Sequence, residues 1–192
     1  MQNDPIIEQA IRYAEELFRG NSDGHGFEHT MRVYRTAMRI ADTEPVCNRQ
    51  TVALAALLHD TDDPKLFKTE NNANARAFLA DLHTDYKTTE AVCAVINAVS
   101  FSKNRGKVPE TLEGKIVQDA DRLDAIGAIG VARTFAYGGK HGRPPEESIA
   151  HFHEKLLLLR EMMNTAKAKE IAEGRHVFME QFLQEWEKEN DC

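Results

Sequence analysis

Apolar residues recur at three- and four-residue spacing along almost the whole chain, and no stretch alternates apolar with polar for long enough to make a strand. That rhythm restricts the chain to helices packed on helices. It predicts helices over 5–18, 28–41, 49–59, 70–81, 88–99, 112–135, 146–160 and 165–188. Asp4–Pro5 supplies a cap and a first-turn proline for the first of them. The third is apolar on most sides, from Val52 to Leu58, and is expected to be central. Gly127 and Gly130, inside the long 112–135 stretch, would admit a close neighbour. With 192 residues and no internal repeat or linker, the expectation is a single-domain, all-α helical bundle. Its centre would be about 20–145, with helices from 146–190 packed on it. The amphipathic 165–188 run has a homodimer surface as its alternative use.

Charge and cysteines narrow the setting. Lys and Arg number 24 against 31 Asp and Glu, a formal charge of −7, which disfavours a protein that coats nucleic acid or an anionic membrane. No apolar run approaches the ~20 residues of a membrane span. The opening MQNDPIIEQA lacks a basic, signal-like segment, so a cytoplasmic protein is expected. Three cysteines without CxxC spacing read as reduced thiols. Two loops, 101–109 and 138–145, are locally basic within this acidic chain. They are either solvated charge or contacts for an anionic ligand.

The residues hardest to place in an apolar core are His59 and Asp60, at the end of the central helix. Buried without partners, each would cost several kcal/mol. His29 opens the preceding helix, and Asp119, Asp121 and Asp124 interrupt an otherwise apolar one. One divalent cation held between His29, His59, Asp60 and Asp121 would satisfy them together. Asp124, one turn further on, is an alternative to Asp121. Two imidazoles and two carboxylates suit Mn, Fe, Co, Ni or Zn, and leave coordination positions for water and substrate. His25, four residues before His29, is either a further ligand of a two-metal site or a substrate contact.

The order His29, His59–Asp60, Asp121 resembles the HD-domain metal-dependent phosphohydrolases. The likeness extends to HGFEHTMRV (25–33), LAALLHDTDDPK (54–65) and KIVQDADRLDAIGAIGVARTFAYGG (115–139), which are similar to a bacterial subgroup typified by YpgQ and YedJ. The resemblance implies an all-α bundle with one divalent metal on His29, His59, Asp60 and Asp121. Manganese is the expected ion, with cobalt, nickel, iron, zinc or magnesium as others. It implies that Asp63, three residues beyond the HD aspartate, activates the attacking water, with Asp62 as the alternative. It also implies a nucleotide substrate, an NTP or dNTP cleaved to NMP and pyrophosphate. Phosphoryl charge would be met by Lys65, Lys68, Lys103, Arg105, Arg122, Lys140 and Arg143, with Arg32 on a ligand carboxylate or a phosphate and Asp124 on the nucleotide.

Rival readings keep the same cage: a phosphomonoesterase, an alarmone hydrolase, or a non-catalytic nucleotide sensor. No GxSxG elbow, Walker motif or dinucleotide fingerprint is present. His151 and His153 are expected at the surface, His83 and His176 in solvent, and His141 either on phosphate or idle.

Overall fold

The computed structural model describes residues 4–20, 26–100, 104 and 106–191. Every regular element among them is helical: α1 (Pro5–Leu17), α2 (Phe27–Ala41), α3 (Arg49–Leu58), α4 (Ala73–Asp81), α5 (Tyr86–Val99), α6 (Leu112–Asp124), α7 (Gly127–Lys140), α8 (Pro145–His151) and α9 (Ala166–Asn190). No helix among the described residues is long and apolar enough to cross a membrane. The chain gathers into two compact units, residues 1–120 and 121–192, and the boundary falls inside α6.

In the first unit α3 is the centre. Its residues Thr51 to Leu58 are all buried, and it packs against α1, α2 and α5. Such a helix needs an end that satisfies its free N–H groups, and the Asn48 side chain accepts from Thr51 N at 3.1 Å. Asp4 caps α1 through Ile6 N at 3.0 Å, and Asp85 caps α5 through Thr88 N at 3.0 Å. In the second unit α7 packs on α8 and α9. Phe135, Phe152, Phe182 and Trp186 form one aromatic cluster there, with centroid separations of 5.8 to 6.3 Å. On α9 the buried side is Ala168, Ala172, His176, Met179 and Leu183, flanked by the half-buried Phe182 and Trp186, while Val177 and Phe178 remain exposed.

The expected 112–135 helix is two helices. The chain turns at Ala125–Ile126, and Gly127 takes φ +78°, a left-handed value that favours glycine. A Cβ at Gly127 would sit 2.9 Å from Arg175 Cγ, so the close neighbour is an arginine stem from α9. The apolar spacing runs on through the turn, which hides it from the sequence pattern. The 138–145 loop is also shorter than expected, because α7 continues to Lys140. Arg143 N donates to Gly138 O at 2.8 Å and Gly142 N to Gly139 O at 3.4 Å, with Gly142 at φ +65°, a glycine-terminated helix cap. The 146–160 stretch is α-helical only to His151, then runs through a π turn (Phe152–Leu156) and a 3-10 segment (Leu157–Met162).

Candidate metal centre

His29 stands in the first turn of α2, whose apolar stripe (Val33, Ala37, Ile40) faces the core and carries the imidazole inward with it. His59 is the C-cap of α3, and Asp60 follows in the turn. Only 2%, 9% and 9% of these three residues is exposed, so they are largely withdrawn from bulk water. His59 Nδ1 lies 2.9 Å from Ala56 O. A carbonyl only accepts, so Nδ1 carries the hydrogen, and in the ring's neutral form the lone pair falls at Nε2. That Nε2 lies 3.2 Å from His29 Nε2. Asp60 Oδ2 stands 3.4 Å from His29 Nε2 and 3.3 Å from His59 Nε2. Two imidazole nitrogens and a carboxylate oxygen therefore converge in a buried space. This N,N,O donor set fits a divalent transition metal, which would compensate the carboxylate charge and take the lone pair that the His59 tautomer aims inward.

Hydrogen bonds hold the turn that bears the pair. Thr61 Oγ1 donates to Leu58 O at 2.8 Å, and Asn74 Nδ2 donates to Thr61 O at 2.7 Å. Asp62, the alternative water-activating acid, has both oxygens occupied: Oδ1 accepts from Asn74 N at 3.0 Å and Oδ2 from Ala75 N at 3.1 Å. Asp63 is half-buried, and its Oδ1 accepts from Lys65 N at 2.8 Å. Lys65 and Lys68 are exposed on the same segment, and Arg32 is half-buried on α2.

The remaining expected residues belong to the second unit or fall outside the description. His25, Lys103 and Arg105 lie outside the described residues. Asp121 is half-buried on the last turn of α6, three positions after Gln118, whose amide donates to Ala98 O at 2.9 Å and Lys107 O at 3.3 Å. Arg122, expected on substrate, is buried and donates to Met162 O. Asp124 is buried and paired with Arg133 Nη1, while Arg175 Nη1 donates to Leu123 O. Arg133 and Arg175 thus hold the end of α6, a role their sequence positions do not reveal. Lys140 is exposed; Arg143 lies with its guanidinium carbon 5.5 Å from the Tyr137 ring centre. His141 stacks on that ring at 3.9 Å. Cations at this place also complement the negative end of the α7 dipole. His176, expected in solvent, is buried, with Nε2 3.3 Å from Glu180 Oε1 one helical turn away. His151 is half-buried, and burial holds its imidazole below the usual range.

A family model described as HD domain matches residues 26–126. YpgQ of Bacillus subtilis (strain 168) is 39% identical over 191 residues, covering 95% of this chain and 92% of that protein. The crystal structure of Bacillus subtilis YpgQ in complex with ADP aligns with a TM-score of 0.83 at 34% identity, over 96% of this chain and 95% of that one. An HD-superfamily hydrolase from Bacillus thuringiensis aligns with a TM-score of 0.79 at 40% identity, over 97% of each chain.

Proposed function

The chain belongs to the HD domain family, and from that premise we propose that it is a metal-dependent nucleotide phosphohydrolase, cleaving NTPs or dNTPs to NMP and pyrophosphate. The observation that carries this reading is the convergence of His29 Nε2, His59 Nε2 and Asp60 Oδ2, with the His59 tautomer set by Ala56 O. Asp121 is the fourth ligand in this reading, so the proposal takes 1–192 as one functional domain. An ion bound there supplies Lewis-acid polarisation and charge neutralisation at a phosphoryl group. The chain's own side chains do the rest. Asp63 stands next to the donor turn with a carboxylate that is not spent on a helix cap, and it accepts the proton of the attacking water. Lys65 and Lys68, two and five residues beyond it, meet phosphate charge, with Arg32, Lys140 and Arg143 as further cations. The ADP held by the related YpgQ supports a nucleotide as the ligand.

Metal-stripped protein, resupplied in turn with Mn, Co, Ni, Zn or Mg and given a panel of NTPs, dNTPs, NMPs and an alarmone, tests the proposal by chromatography of the products. NMP plus pyrophosphate is the expected outcome, abolished by His59→Ala and slowed on the order of 10²-fold or more by Asp63→Ala. Nucleoside plus inorganic phosphate from NMPs would replace the pyrophosphohydrolase with a phosphomonoesterase. No turnover with any metal, beside nucleotide binding that survives Asp63→Ala, would leave a sensor.

A further inference from the structure

Helix α4 starts without a cap of its own. Asn72 occupies the cap position at φ 56°, ψ 43°, makes no capping bond, and turns its amide to Asn97 Oδ1 at 3.1 Å. Asn71 before it is also left-handed, at φ 55°. Two consecutive left-handed residues that are not glycine are an unfavourable way to enter a helix, and asparagine is among the few that tolerate it. What the entry achieves is contact with a distant partner. The two N–H groups that a cap side chain would ordinarily satisfy, on Asn74 and Ala75, are instead taken by the two oxygens of Asp62. Asn74 returns a bond to Thr61 O, so the exchange is reciprocal. The carboxylate also lies at the positive end of the helix dipole. Asp62 is thereby held at both oxygens, two residues from Asp60 and three from His59.

We infer that Asp62 and Asn74 are positioning residues, through which the start of α4 holds the 59–62 turn so that His59 and Asp60 keep their donor atoms aimed inward. The inference deepens the metal-centre reading and rests on it. It also removes Asp62 from the proton-transfer role and leaves Asp63 there. Asp62→Asn puts a donor group against a backbone N–H, and Asn74→Ala deletes the bond to Thr61 O while keeping Asp62 and both helix amides. Asp85→Asn is the control: Asp85 caps α5 through Thr88 N and Thr88 Oγ1, a bond of the same kind outside the 59–62 turn.

Two readouts on the full chain decide it. One is cobalt(II) affinity by calorimetry on metal-stripped protein; the other is the nitrogen-15 signals of the His59 ring without metal. Asp62→Asn and Asn74→Ala should each weaken cobalt binding by about 10- to 100-fold and move the His59 ring signals. Asp85→Asn should lower thermal stability and change neither. Cobalt affinity within twofold of wild type in both variants, with the ring signals in place, would overturn the inference. Should Asp62→Asn not fold, Asn74→Ala alone decides by the same criteria. Wild-type protein that takes up no cobalt would refute the metal centre; the ring signals would then decide whether α4 positions His59.

Discussion

Single side chains in this protein are set by what lies across from them. Arg76 and Glu90 show it outside the site: Nη1 and Nη2 of the guanidinium meet both carboxylate oxygens, a two-pronged brace between α4 and α5. The guanidinium, chiefly by its hydrogen bond, holds the Glu90 carboxyl below the usual range. A carboxyl depressed in the folded state stabilises above its ordinary value of about 4.3, and that contribution disappears as pH falls through the lower, folded value. Wild type should therefore be more stable than Glu90→Gln at neutral pH, with the gap closing below about pH 4 in thermal melts. A gap of constant size from pH 7 to 3 would show that the brace contributes nothing electrostatic. Within the site, His29, His59 and Asp60 were legible because polar groups in an apolar helix demand partners. That Asp62 is spent on the start of α4 was not legible, because adjacent acids in a turn look alike until α4 is seen to claim one of them.

Elements obey the local rules of capping and spacing except where a neighbour intervenes. Glycine separates the two cases. At Gly130 a Cβ would meet the Ala125 carbonyl oxygen, an atom of the backbone turn that cannot yield like a side chain. Gly174, in the middle of α9, is exposed and has nothing within 4 Å of that position. Gly130→Ala should destabilise by about 1–3 kcal/mol, whereas Gly174→Ala should stabilise by roughly 0.5–1 kcal/mol. Denaturant unfolding of the two variants checks this, and shifts of one sign would contradict it. The same turn shows why 112–135 reads as one helix. Its apolar period is unbroken, and the break is held by Arg133 on Asp124 and by Arg175 on Leu123, the second a partner 52 positions away that no local window contains.

At the scale of the whole molecule, a ligand that binds only the folded chain links the candidate centre to stability. An ion present at a hundred times its dissociation constant would add about 2.7 kcal/mol, and a chain of this size gains roughly 2–4 °C per kcal/mol. Manganese or cobalt should thus raise the melting temperature of metal-stripped protein by about 5–10 °C, and His59→Ala should abolish the rise. An equal rise in that variant would place the stabilising ion elsewhere.

What the sequence determined alone was whatever depends on near neighbours: the helical class, the cap at Asp4, and a set of histidines and acids too polar to be buried singly. Hydrophobic period and capping act over a few residues, so they are written in the chain itself. Tertiary structure decided which of those groups meet and which are spent on support. It brought His29 to His59 across thirty positions, gave Asp62 to α4, buried His176, and bent the chain at Gly127 beneath Arg175. Each of these depends on a partner whose place only packing supplies.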